Sequence, residues 1–446
     1  MKPEQRIQPY HANPHYWQYK DQPTLLIGGS KEDNLYQIAN LEEHLDQLQS
    51  VGGNYVRCTM SCRDEGDVWP FEQDPNTGLY DLNKPGKEHW RRFENFLKLT
   101  TERDIILQIE VWDRFDFAQN HWQDNPYNPK NNSTYTVSES GLEEVYDFAG
   151  HLEKNPFLRT VPTLENNTCV LQYQLQQVDK MLSLSLNYSN VLYCMNNETS
   201  GPPEWGQYWI QHIQKRAQEK GVTVYTTDMF DNWYMGPHAR QVSEVANNPD
   251  TYSFLDISQV NGRNHHEMHW ANMTWLKNQT RKYPRPVNNV KIYGGDIRAF
   301  FGTGNNKDGI QRFWRDLLGG CASARFHRPP GGNGLNEHAQ ASISAVRKLE
   351  TTIKFWDIAP QMNLLVGDRL HECYLAGIPG EVYLLYFTEG GFTSLDLSGQ
   401  THTFTLRWVC IATGEWGDHT ALQGGEPITI SSPNDGGWVA LITKNE

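Results

Sequence analysis

Eight short apolar runs, most of them followed by an amphipathic helical pattern, recur along this 446-residue chain as far as roughly residue 345. They are Thr24 to Gly28, Tyr55 to Met60, Ile105 to Val111, Val191 to Met195, Thr223 to Thr227, Phe254 to Val260, Val290 to Tyr293 and Cys321 to Phe326. Helical spacing of apolar residues appears in Asn40 to Gln49, His89 to Glu102, Pro203 to Lys220, Asp308 to Leu318 and Asn336 to Lys354. Strands that alternate with helices pair in parallel, and eight such units in about 320 residues predict a closed (β/α)8 barrel. An open doubly wound sheet produces a similar alternation. No GxGxxG follows the first run, which disfavours its dinucleotide-binding form.

From Lys354 onward the texture changes to short alternating segments, including Glu381 to Phe387, Thr393 to Leu397, Thr403 to Val409, Ile428 to Ile430 and Trp438 to Ile442. Gly-rich turns separate them, which predicts a small antiparallel β-sandwich. The expected fold is therefore α/β, a TIM barrel over residues 1–358 with the sandwich over 359–446. A chain of this length exceeds what one core usually serves, in keeping with two domains. The Asn-, Pro- and Tyr-rich region from Phe117 to Ser189 is long for one connection, and such excursions commonly wall a site.

The formal net charge of −14 argues against a nucleic-acid or anionic-membrane partner, which needs a basic patch. No apolar window is long enough for a membrane span. The start, Met1-Lys-Pro-Glu-Gln5, lacks the apolar segment of a signal peptide. That fits either a cytoplasmic protein or a secreted or periplasmic one whose signal has been removed. Seven scattered cysteines read as buried thiols, and the spacing of Cys58 and Cys62 has no second ligand pair to complete a zinc site. No metal or cofactor is expected, and oligomeric state is not legible.

A barrel gathers the carboxyl ends of its strands around one opening, so residues there form a candidate site. The fourth run ends in Asn196-Asn197-Glu198. A carboxyl there can protonate a glycosidic oxygen while the Asn197 amide holds a ring hydroxyl. The other ends contribute Arg57, Glu110, Trp112, Asp113, Asp228, Trp233, His266, Tyr293, Arg325 and His327, with Asp296 after the seventh run. Each has a plainer reading: Arg57 and Asp113 as a buried salt bridge, His266 as part of a solvated loop. Trp112, Trp233 and Tyr293 are candidates for stacking on sugar rings. Arg325, Arg328 and His327 suggest a cationic pocket for a sugar carboxylate or sulfate, or else they neutralise surrounding carboxylates.

The Asn-Glu ending resembles the clan A glycoside hydrolases. The opening Asn13 to Ser30 and the tail Phe404 to Trp416 resemble, more narrowly, the apiosidase-like group. The resemblance implies a glycosidase acting on a plant, algal or microbial polysaccharide, retaining in outcome, with Glu198 as acid/base, Asn197 as hydroxyl partner and Arg57 near the nucleophile. The seventh strand departs from the family pattern: Val290-Lys-Ile-Tyr-Gly-Gly-Asp296 offers Asp296 where the family has Glu. A retaining pair sits about 5–5.5 Å apart and an inverting pair about 6.5–9.5 Å, so this position decides the outcome. Burial is expected to raise the pKa of Glu198, and Arg57 to keep Asp296 ionised. Two alternatives remain: a non-catalytic carbohydrate-binding barrel, and a polysaccharide lyase on a uronic-acid polymer using His266 or Tyr293 as base.

Overall fold

In the computed structural model the described residues are 5–117, 119–146, 154–231, 239–260, 266–296, 302–367 and 372–445. Eight short strands run in parallel: β1 (Leu26–Gly29), β2 (Tyr55–Thr59), β3 (Ile106–Asp113), β4 (Val191–Asn197), β5 (Thr226–Thr227), β6 (Leu255–Asp256), β7 (Val287–Asn288) and β8 (Ser323–Phe326). All are buried throughout, as parallel strands covered on both faces must be. Seven overlap the expected runs, and the ladder of β7 lies just upstream of Val290.

The ladders join β2-β3-β4-β5, β6-β7 and β8-β1. Between these groups the backbone is bridged singly: Asn54 N donates to Ile27 O at 2.9 Å, Ser253 N to Thr226 O at 2.8 Å and Ala322 N to Val287 O at 2.8 Å. A parallel bridge also pairs Ile292 with Phe326. The strands thus follow one another in chain order and return to the first. No one ladder runs unbroken around them among the described residues.

The covering helices are α1 (Leu41–Ser50), α2 (Lys87–Glu102), α3 (Thr168–Ser185), α4 (Pro203–Glu219), α5 (His266–Gln279), α6 (Asn306–Leu318) and α7 (Glu337–Glu350). In α2, Trp90, Phe93, Phe96 and Leu97 are buried at the spacing of three and four that the sequence displays. Helices α3 and α5 were not expected. In α5 only His269, Met273 and Leu276 are buried, too few apolar residues for the period to stand out.

The region before α3 follows an irregular path whose abundant asparagines have a structural use. Asn125 Nδ2 donates to Asp116 O at 2.8 Å, and Asn128 Nδ2 to Trp122 O at 2.9 Å. Asn155 Nδ2 donates to Phe117 O at 2.9 Å. These amides satisfy backbone carbonyls that no helix or sheet partners.

The C-terminal residues form two antiparallel sheets, one of six strands and one of three. Alternate residues of the larger sheet go to different cores. Tyr374, Ala376, Leu384, Tyr386, Val439 and Leu441 pack into the main core, whereas Cys373, Leu375, Leu385, Ala440 and Ile442 join a smaller one with Leu395 and Ile430 of the second sheet. The central strands of the larger sheet are therefore buried on both faces, while its edge strand Glu415–Gln423 is mostly exposed. Arg315 of α6 reaches across to Glu372 at 2.6 Å, and Trp270 of α5 packs on Tyr374 with ring centroids 4.8 Å apart. All seven thiols are free.

Candidate active site

Strand β4 ends by turning its last side chains to different sides. Asn196 points away from the strand ends: its Nδ2 donates to Asp228 Oδ1 at 2.9 Å and its Oδ1 accepts from Trp205 Nε1 at 3.2 Å. Asn197 faces the other way. In a continuing strand Glu198 would alternate back to the side of Asn196. Instead its backbone is left-handed, with φ +56°, and pairing resumes only at Thr199, whose N–H donates to Met229 O at 2.8 Å. A non-glycine residue in this conformation costs about 1–3 kcal/mol, and the turn brings Glu198 beside Asn197 on one wall.

That wall borders a cavity of about 410 Å³, within the usual range for a small ligand. Asp33, Asn197, Glu198 and Tyr293 face it together with Arg63, Arg114, Lys291 and Arg328; Phe115, His121, Gln259, Thr303 and His327 complete the lining. Lys291 Nζ donates to Glu198 Oε1 at 2.6 Å and also to Asn197 Oδ1. On the far side of the carboxylate, Arg114 Nη2 donates to Glu198 Oε2 at 3.1 Å, and its Nη1 donates to Asp231 Oδ2 at 2.6 Å. Tyr293 Oη donates to Glu198 Oε1 at 3.3 Å. Asn197 Nδ2 donates to Asp113 Oδ2 at 2.8 Å, so both ends of that amide are oriented.

These contacts reverse the expected ionisation of Glu198. Burial acts to raise its pKa, but Lys291 and Arg114 outweigh it, and the carboxyl is held down at about 2. Asp33 is held well below the carboxylate range as well: burial opposes, but Arg57 at 2.6 Å and Arg328 at 2.8 Å prevail. Burial keeps His327 neutral against the pull of Asp33, and its Nδ1, 3.8 Å from Asp33 Oδ1, has no hydrogen-bond partner among the described residues. Burial, with Glu198 adding to it, pushes the Tyr293 hydroxyl well up.

Of the residues read from sequence, Asn197, Glu198, Tyr293, His327 and Arg328 reach the cavity. Several others stand behind it. Arg57 donates to Glu110 Oε1 and Oε2 at 3.0 and 2.7 Å while holding Asp33. Asp113 takes Arg63 at 2.5 Å. Asp228 holds the tip of β4 through Asn196. Arg325 donates to Val290 O at 2.6 Å and to Ser30 Oγ, tying β8 to its neighbours. Arg328 pairs with Asp33 and, at 3.6 Å, with Glu32 while also lining the cavity, so it fits both readings of the arginines.

Four expectations are corrected. Trp112 is 2% exposed and packs among Phe117, Phe157, Trp205 and Trp209, so it presents no face to a sugar. His266 lies at the junction with the C-terminal sheets, its Nδ1 2.7 Å from Glu372. Asp296 does not share the cavity of Glu198. After Tyr293 the chain turns at Gly294, φ +109°, where a Cβ would sit 2.4 Å from Gly309 N. This carries Asp296 to the N-terminus of α6, where it is exposed, bonds Asn306 and borders a different cavity of about 520 Å³. The raised pKa expected for Glu198 is likewise overturned, by Lys291 and Arg114. Trp233 lies outside the described residues.

Lys291 is the residue that sequence reading overlooked. It sits two positions before Tyr293, and in extended chain those positions share a face, so a reading that aimed Tyr293 at the site implied Lys291 there too. Phe115 was also missed. Its ring lies 5.4 Å from the Arg63 guanidinium and 4.8 Å from that of Arg114, between two cations at the cavity wall. Among the described residues no group of His, Cys, Asp and Glu has the makings of a metal site.

Residues 72–245 match the family model described as "Domain of unknown function (DUF6298)". No curated protein matches the sequence. Among solved structures, one titled "Glycoside hydrolase" superposes with a TM-score of 0.62 at 10% identity, covering 99% of this chain and 98% of the other. A glycoside hydrolase family 5 protein from Bacteroides vulgatus gives 0.62 at 12% identity, over 99% of this chain and 95% of its own. The chain has the fold of these glycoside hydrolases. No helix among the described residues is long and apolar enough to cross a membrane.

Proposed function

We propose that this protein is a glycoside hydrolase built on a (β/α)8 barrel and that Glu198 is the carboxylate that reacts. The observation that carries this reading is the left-handed turn that displays Glu198 beside Asn197 in a sugar-sized cavity, on a fold shared with glycoside hydrolases. Clamped between Lys291 and Arg114, Glu198 is ionised when the cavity is empty. It is therefore suited to attack the anomeric carbon or to activate water, and it serves as acid only after those cations are drawn away. Asn197 has capacity left to hold a ring hydroxyl. Phe115 replaces Trp112 as the candidate stacking surface.

Asp33, the other carboxylate bordering the cavity, replaces Asp296 as candidate partner. Retention of configuration was tied to Asp296 and is not carried forward. The likeness of Asn13 to Ser30 and Phe404 to Trp416 to the apiosidase-like group belongs to the same proposal.

One observation favours a second reading. Where the family resemblance leads one to seek a nucleophile, a lysine faces Glu198, with Tyr293 and the neutral His327 at 4.6 Å between ring centroids. Cations that neutralise a uronate beside a tyrosine also suit eliminative cleavage. Product chemistry separates the two when wild type is incubated with a panel of polysaccharides. New reducing ends without ultraviolet absorbance support hydrolysis; an absorbing unsaturated end supports elimination. Absence of both from every polysaccharide would leave only a binding role.

A further inference from the structure

The cavity is positively charged on its surface and negatively charged behind it. Four basic side chains face it, Arg63, Arg114, Lys291 and Arg328, against two carboxylates, Asp33 and Glu198. The carboxylates that balance the arginines stand further back. Asp113 and Asp116 are buried behind Arg63, at 2.5 and 3.3 Å, and Asp231 lies beyond Arg114. Burial pushes the Asp116 carboxyl up, so it offers Arg63 less than a full charge near neutral pH. All this sits in a chain whose net charge is −14.

Among the described residues, two buried polar atoms beside the cavity lack hydrogen-bond partners: Arg114 Nε and His327 Nδ1. Such atoms are costly unless something arrives to meet them. The Phe115 ring, packed against both Arg63 and Arg114, keeps the two guanidinium groups beside an apolar face that suits a pyranose ring.

We propose that the sugar bound in this cavity is anionic, carrying a carboxylate or sulfate received by Arg63, Arg114, Arg328 and Lys291. The inference rests on the proposed role of the cavity as a glycan site. It also gives Glu198 a trigger. A ligand anion on Arg114 and Lys291 competes with Glu198 for them, loosening the grip that keeps the carboxyl ionised, so an acidic ligand prepares it to carry a proton and a neutral one does not.

The test is calorimetric affinity for pairs of oligosaccharides that differ only in charge: uronate oligomers with their carboxyl-reduced counterparts, and sulfated oligomers with their desulfated ones. At least one acidic member is expected to bind about tenfold more tightly than its neutral partner. The preference should shrink between about 0.1 M and about 1 M salt. Arg328→Gln, at the rim, should remove most of it, whereas Glu32→Gln, on the outer side of Arg328, should not. Equal affinity within every pair, preference for the neutral member, or no binding by any acidic oligosaccharide overturns the proposal. Glu198-dependent hydrolysis of neutral glycans alone would sink this inference and spare the glycosidase reading. Charge-dependent binding without cleavage would do the reverse.

Discussion

The ammonium of Lys291, which follows the seventh strand where a second carboxylate was expected, lies 2.6 Å from Glu198 Oε1. That contact fixes the charge of the central carboxyl, and it bears on each expectation about how the cavity works.

Replacing Lys291 by methionine removes the nearer cation and lets burial act on Glu198. Its pKa, about 2 in the native protein, should rise to or above the ordinary carboxylate value of about 4.3. Because the folded value is depressed, the stability Glu198 contributes is complete above the ordinary range and is lost as pH falls through about 2. Lys291→Met should therefore cost about 3 kcal/mol at neutral pH and flatten this acid-side loss. Carbon NMR of the labelled carboxyl and urea unfolding at several pH values measure the two effects.

Asn197→Ala should lower kcat/KM about 10²-fold, mostly through kcat, because a bond to a ring hydroxyl strengthens as the transition state forms. Steady-state kinetics on whichever glycan is cleaved gives the split. An effect confined to KM would mean that Asn197 binds ground state and transition state equally.

His266→Ala should leave activity unchanged and cost less than about 1 kcal/mol, since His266 is a mostly exposed partner of Glu372 beside the C-terminal sheets. Glu372→Ala should cost about 3 kcal/mol, because it strands the guanidinium of Arg315, which is 1% exposed. Urea unfolding of both variants decides this.

Gly206→Ala should destabilise by about 1–3 kcal/mol. A Cβ there would stand 2.1 Å from Asp228 Oδ2, the group that orients Asn196 at the tip of β4. Thermal unfolding provides the measurement, and a matching loss of activity would show that the tip transmits the shift to Glu198.

Much of this arrangement was legible in the chain because the period of burial is written there. The runs that mark seven of the eight strands are mostly apolar, and Val382 to Phe387 is apolar throughout, as a strand shared by two cores must be. Asn197 and Glu198 stood out because amides and a carboxylate close a buried run. What the sequence withheld were matters of direction. Trp112 and Phe115 are aromatic residues three apart, and nothing in their type says which is core and which is wall. Asp296 looked like a family carboxylate displaced by a residue, but the turn at Gly294 depends on Gly309, which only the fold brings near. The depressed pKa of Glu198 depends on Arg114 and Lys291, which come from two other strand ends.

The most direct test of the account compares Glu198→Gln with Asp296→Asn on a glycan that wild type cleaves. The account predicts that Glu198→Gln loses at least about 10³-fold in kcat, while Asp296→Asn keeps essentially full activity. Unchanged activity in Glu198→Gln, or a comparable loss in Asp296→Asn, would contradict it.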